Sequence, residues 1–206
     1  LVVGSGIAGL AAALGAVRQG DDVTLVTKAT RPEGASSWWA QGGIAVLRDD
    51  PEQFKEDILA ASDGTADPAA VDVLVENAND AVEDVLFETL EVEFHSEDRI
   101  LHVDAATGKH VHVPFLNYLD AREGVEIVDD TAALELIRHE GRVHGAMLES
   151  DGEVRPHYAG SVVLATGGIG ELYGRTTNPD DATGDGIAMA ALAGADVADM
   201  EYVQFH

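Results

Sequence analysis

Three glycines, Gly4, Gly6 and Gly9, sit at the start of the chain in the stretch GSGIAGL. In a G-x-G-x-x-G run the first glycine allows a tight turn, and the second lets backbone N–H groups approach a pyrophosphate. The third lets a helix pack closely on a strand, and the helix N-terminus adds partial positive charge. Four further clusters could carry chemistry. SSWWAQGGIA, Ser36 to Ala45, sets the only two tryptophans beside a glycine pair. Either the rings plug a core while the glycines turn a corner, or the backbone there approaches something flat. Ala165-Thr166-Gly167-Gly168 places small residues at the carboxyl end of an apolar run, where open α/β sheets bind ligands. Gly184-Asp185-Gly186 puts a carboxylate at a helix start, as an N-cap or as a partner for a ligand hydroxyl. His110 and His112, with His102 nearby, lack an acid or Cys at ligand spacing and read as scattered surface histidines.

The elements that must position these groups show in the apolar periodicity. Leu1 to Val3 suit a buried strand, Leu10 to Val17 a helix closed by Gly20, and Val23 to Val26 a second strand. This supplies the strand–turn–helix context the glycine run needs. A simple NAD site also needs an acid about 20 residues on, at the end of the second strand. Here that strand ends in LVTKA, with Thr27 and Lys28, so the ligand is of another kind or is held differently.

Asp50-Pro51 and Asp67-Pro68 each predict a helix start, with a cap residue followed by proline at the first position. Phe54, Ile58 and Leu59 form the inner face of the first helix. Val71, Leu74, Val75, Ala78, Val82, Val85 and Leu86 form the core face of the second. From Val125 the period changes to strands: VEIVDD, AALELIRH, RVHGAMLES, EVRPHYAG and SVVLATGG, with turns at Glu140-Gly141 and Asp151-Gly152. They predict one strand joining the main sheet, an antiparallel meander, and a return to a buried parallel strand at 162–164.

The 206 residues carry 38 acids against 12 bases, a net charge of −26. Such a field repels nucleic acid and anionic membrane and excludes both as partners. Three lysines only, beside abundant Asp, predict a halophilic protein whose self-repulsion is screened by high salt. Without cysteine there is no thiolate nucleophile, no disulfide framework and no Cys-ligated metal. The uncharged first 17 residues are too short and too rich in glycine for a membrane span. The chain begins without Met in what reads as mid-strand, and we expect it to be the N-terminal part of a longer protein.

GSGIAGL, SSWWAQGGIA, VVLATGG, TTNPDDATGDGIAMA and EYVQFH, in this order, resemble the succinate dehydrogenase/fumarate reductase flavoprotein family. The resemblance implies an α/β fold, a Rossmann-like FAD-binding domain of the glutathione-reductase type over residues 1–206. A capping domain and a C-terminal helical domain are expected beyond. It implies FAD as cofactor, with the pyrophosphate on Ser5, Gly6, Ile7, Ala8 and Gly9 after the turn at Gly4, and with Lys28 as a further contact. Ser36, Ser37, Trp38, Trp39, Ala40, Gln41, Gly42 and Gly43 would wrap the flavin ring, and Ala133 would meet the adenine end. Ala165, Thr166 and Gly167 match the second flavin motif, Asp185 another FAD contact, and Gln204 and His206 groups that bind a substrate carboxylate.

Within the family the chain is most similar to members that oxidise L-aspartate to iminoaspartate in quinolinate and NAD biosynthesis. Those use O₂ or fumarate as acceptor, and the resemblance implies a cytoplasmic enzyme with quinolinate synthase as a partner. A soluble fumarate reductase or succinate dehydrogenase-type flavoprotein, or a non-catalytic flavin-binding fragment, are the alternatives. In membrane-associated members a histidine at the position of Ser36 bonds the flavin covalently, which Ser36 cannot do, so FAD is expected to be non-covalent. One departure stands out: VEFHSED runs straight into Arg99, where the family carries an EGGHS-like stretch whose acid recognises the substrate amino group. We expect a loop absent from this sequence at the Asp98/Arg99 junction, and a catalytic acid/base beyond His206.

Overall fold

The computed structural model describes residues 1–104 and 106–204. In chain order the first elements are β1 (Val2–Val3), α1 (Ile7–Arg18), β2 (Val23–Val26), α2 (Ser36–Trp39), β3 (Ile44–Ala45), α3 (Pro51–Ala61) and α4 (Pro68–Ala81). After a π-helical stretch, Val82–Thr89, come β4 (His95–Glu97), β5 (Ile100–His102), α5 (Thr107–Asp120) and β6 (Val125–Val128). Then follow β7 (Ala132–His139), β8 (Arg142–Ser150), β9 (Glu153–Tyr158), β10 (Val163–Leu164) and α6 (Asp185–Leu192). The chain divides into two compact units, Leu1–Trp39 with the segment from Phe115 onward, and Ala40–Pro114.

The first unit is built on a parallel sheet in the order β10-β1-β2-β6. Helix α1 buries Gly9, Leu10, Ala13 and Leu14, the spacing of one helical face, and Gly20 leaves its end at φ +89. The meander β7-β8-β9 forms as its alternation predicts. Both turns, Glu140-Gly141 and Asp151-Gly152, have positive φ at each residue, the backbone that two-residue hairpins demand. Val3, Val26, Ala133, Leu136, Ala146 and Met189 form one core cluster, tying the sheet, the meander and α6 together. β10 departs from expectation. It is the edge of its sheet among the described residues, and Val163 is 42% exposed rather than buried on both faces.

In the second unit Asp50 accepts from the Gln53 N–H at 3.0 Å and Asp67 from the Ala69 N–H at 2.9 Å, so both capping predictions hold. Phe54, Val71 and Val75 form its core, with Ile58 and Leu59 against them. Leu74 is a correction: it is 53% exposed, off the stripe that runs through Val71, Val75 and Ala78. The periodicity beyond Ala81 continues in π-helical rather than α-helical turns. Helix α5 has no clear signal in the sequence, because Pro114 lies inside it and lacks the N–H that a helix interior uses. That helix buries His112 completely, so His112 is a core histidine and not a surface one. The Asp98/Arg99 junction is the two-residue turn of the β4–β5 hairpin, with Glu97 paired to Ile100 and Asp98 at φ +53. Arg48 Nε donates to the Asp98 carbonyl at 2.9 Å and supports this turn.

Candidate functional site

At the carboxyl ends of β1, β2 and β10 the first unit opens a cleft of about 310 Å³. This is where parallel open sheets place their ligands. Gly4, leaving β1, has φ +109, and a Cβ there would fall 2.3 Å from the Ala165 carbonyl oxygen. Gly9 lies beneath the turn, where a Cβ would come within 1.8 Å of the Gly4 carbonyl oxygen. The first and third glycines are therefore required by contact between backbones. Gly6 is the N-cap of α1 and brings no side chain to the helix end, so the first-turn amides depend on groups from elsewhere. Ser37 supplies one: its Oγ accepts from the Ile7 N–H at 3.0 Å. Ser5 Oγ donates to Thr27 Oγ1 at 3.1 Å, joining the β1 and β2 ends of the cleft.

The end of β2 explains the acid that its sequence lacks. Lys28 Nζ donates to Asp185 Oδ2 at 2.6 Å and to Thr183 Oγ1 at 2.5 Å, and Thr183 Oγ1 donates to Asp185 Oδ2 at 2.8 Å. A carboxylate thus stands beside the strand end, delivered by α6 from 157 residues away. The hydrogen bond from Lys28 holds the Asp185 carboxyl below its ordinary pKa; partial burial opposes this and Thr183 adds to it. The two readings of Asp185 separate here. Gly184 is the N-cap of α6, at φ +80, and the Asp185 side chain reaches Lys28 instead of capping the helix.

Ser5, Ile7, Ala8, Ser36, Ala133, Thr166 and Gly167 line the same cleft as Gly4, Gly6, Lys28, Ser37, Ala165 and Asp185. The tryptophans do not fill a core, which corrects that side of their reading. Trp38 is half-buried; Trp39 is 54% exposed, and its indole N–H donates to the Glu33 carbonyl at 2.8 Å. Ala40, Gln41, Gly42 and Gly43 belong to the second unit. There the Ala40 carbonyl accepts from the Gly108 N–H at 2.7 Å. Gly43, at φ +91, passes so close to β5 that a Cβ would lie 2.7 Å from the Leu101 carbonyl oxygen. Gln41 and Gly42 border a small cleft with Glu97 and His102. Gln204 is exposed, and His206 lies outside the described residues.

Sequence reasoning missed Thr131, Asp181 and Met189 in the cleft wall, and Thr183 beside Lys28. Gly34 was missed too, although a Cβ there would meet Ala29 Cβ and Asp181 Oδ2, each at 2.5 Å. Asp181, Thr183 and Met189 had a signal, since all three fall within the TTNPDDATGDGIAMA stretch. Among the described residues no group of three or more His, Cys, Asp or Glu could hold a metal ion. No helix among them is long and apolar enough to cross a membrane.

A family model described as FAD binding domain matches residues 1–206. An L-aspartate oxidase of Halobacterium salinarum is 58% identical over 226 residues, covering 100% of this chain and 44% of that protein. An L-aspartate oxidase of Streptomyces coelicolor is 40% identical over 229 residues, covering 100% of this chain and 39% of that protein. The chain therefore spans less than half the length of these curated relatives. Among solved structures, the open conformation of a flavocytochrome c3 fumarate reductase superposes with a TM-score of 0.88 at 28% identity. That match covers 98% of this chain and 41% of the other.

Proposed function

The chain belongs to the FAD binding domain family, in the succinate dehydrogenase/fumarate reductase group of flavoproteins, and from that premise we propose that it is the cofactor-holding part of an L-aspartate oxidase. FAD is its cofactor. The cleft fits that group: a glycine turn without Cβ atoms leads to a helix N-terminus without a side-chain cap of its own, as a pyrophosphate requires. Gly4 to Gly9 would hold the pyrophosphate, Lys28 and Asp185 the polar groups beside it, and the backbone at Ala133 the adenine end. Ser36 and Ser37 would approach from α2, with Trp38, Trp39 and the segment Ala40–Gly43 toward the flavin ring. When bound, FAD supplies the hydride acceptor for oxidation of L-aspartate to iminoaspartate, with O₂ or fumarate as final acceptor.

The chain's own task in this chemistry is to hold and orient. Glycine backbones and α1 fix the dinucleotide without moving at the moment of reaction. Gln204 and His206 are proposed for one substrate carboxylate. Attachment of FAD is proposed to be non-covalent, because the side chain at position 36 is a serine and no histidine among the described residues lines the cleft. A cytoplasmic setting, delivery of iminoaspartate to a quinolinate synthase, and a capping domain and a C-terminal helical domain in the whole protein complete the proposal.

The observation that carries the substrate assignment is the 58% identity to a named L-aspartate oxidase along the whole of this chain. Purified protein should release yellow flavin on denaturation, and L-aspartate should drive peroxide formation or fumarate reduction. Flavin that stays with the denatured polypeptide, or turnover of succinate in place of aspartate, would favour the fumarate reductase or succinate dehydrogenase alternative. A protein that takes up no flavin would overturn the assignment altogether.

A further inference from the structure

On the reading of the cleft as the FAD site, we propose that Thr183 is a positioning residue. Its hydroxyl ties Lys28 to Asp185 and leaves Asp185 Oδ1 as the acceptor for a hydroxyl of the adenosine ribose. Dinucleotide folds place a carboxylate at the end of the second strand because a ribose diol donates hydrogen bonds and needs an acceptor. Lys28 occupies that position, and an ammonium group only donates. Asp185 restores the acceptor from α6, 2.6 Å from Lys28 Nζ.

The three side chains form a closed triangle. Asp185 Oδ2 accepts from Lys28 and from Thr183, while Thr183 Oγ1 accepts from Lys28. The single hydroxyl proton of Thr183 is committed to the carboxylate, which fixes donor and acceptor roles throughout. Asp185 Oδ1 has no hydrogen bond among the described residues, and Asp185 lines the cleft. Thr183 is itself held: its N–H donates to the Asp181 carbonyl at 3.0 Å. The next residue, Gly184, is at φ +80 with Ile169 only 2.7 Å from where a Cβ would stand. A pair as exposed as Lys28 and Asp185, at 31% and 49%, contributes little to stability by itself. Its three-way fixation at the edge of a ligand cleft serves geometry.

The test measures FAD affinity by quenching of flavin fluorescence, for wild type, Thr183→Val and Thr183→Ser. FAD analogues lacking the 2′- or the 3′-hydroxyl of the adenosine ribose are measured alongside. Thr183→Val should bind FAD about tenfold more weakly, and Thr183→Ser within about twofold of wild type. One of the two deoxy analogues should lose about tenfold on wild type and be indifferent to Thr183→Val. Wild-type affinity for both analogues equal to that for FAD would overturn the proposal, and that measurement needs no variant to fold. So would Thr183→Val binding FAD like wild type, or weakening FAD and both analogues alike. None of these readouts needs aspartate turnover, so a failed substrate assignment leaves them standing.

Discussion

Alanine at Gly9 and alanine at Gly15, two positions of the same helix, should shift stability in opposite directions. In an exposed helix interior Gly→Ala stabilises by about 0.5–1 kcal/mol, because the unfolded chain loses freedom. Gly15 is exposed, and a Cβ there meets nothing within 4 Å, so it should show that gain. At Gly9 the Cβ would sit 1.8 Å from the Gly4 carbonyl oxygen, where ordinary contact begins at 3.4 Å. Helix α1 must then back away from the β1 turn by roughly 1.5 Å, into a core that is already filled. Overpacking of this kind costs about 1–3 kcal/mol. For a chain of this size 1 kcal/mol shifts the melting temperature by about 2–4 °C. Gly9→Ala should therefore melt about 2–12 °C below wild type and Gly15→Ala about 1–4 °C above it. Circular dichroism melts in molar KCl read the shifts, and flavin fluorescence reads cofactor retention, which should fall for Gly9→Ala alone. If both variants shift alike, or Gly9→Ala is the more stable, the account of the glycine turn as a backbone contact is wrong.

The net charge of −26 should make folding depend on salt. Raising KCl from about 0.1 M to about 3 M should raise the melting temperature, as the Debye length shrinks from about 10 Å to below 3 Å. Equal melts at both ends would reject the halophilic reading. Asp185 should contribute through its charge. Because Lys28 lowers its folded pKa, the contribution is present above the unfolded value of about 3.9 and is lost as pH falls through the folded value. The melting gap between wild type and Asp185→Asn should thus be widest near neutral pH and close below about pH 4. A gap that stays constant into acid would show that the ion pair is not its source.

Several features could be read directly from residues because their causes are local. Asp50-Pro51 and Asp67-Pro68 start helices through a carboxylate that reaches an amide two or three residues on. Glu140-Gly141 and Asp151-Gly152 turn hairpins through residues that tolerate positive φ. Helix α5 stayed hidden because Pro114 argues against a helix, whereas burial of Val111, His112, Phe115 and Leu119 on one face overrides it. Leu74 was misplaced because residues three and four apart both fit a helical stripe, and only packing chooses between them. Gly43 illustrates the same limit: a glycine pair announces a close approach, and nothing in the pair names β5 as the partner.

The glycine turn, the helix behind it and the charge of the surface follow from residue types and short spacings alone, since steric and capping rules act within one turn of chain. Who stands beside whom in the cleft does not. Lys28 meets Thr183 across 155 positions, and Ser37 reaches the amide of Ile7 across 30. Those meetings exist because a parallel sheet brings the ends of β1, β2 and β10 to one edge and the packing of α6 on the core carries Asp185 there. The acid missing from the end of the second strand is supplied by α6, 157 residues along the chain and 2.6 Å from Lys28 in the fold.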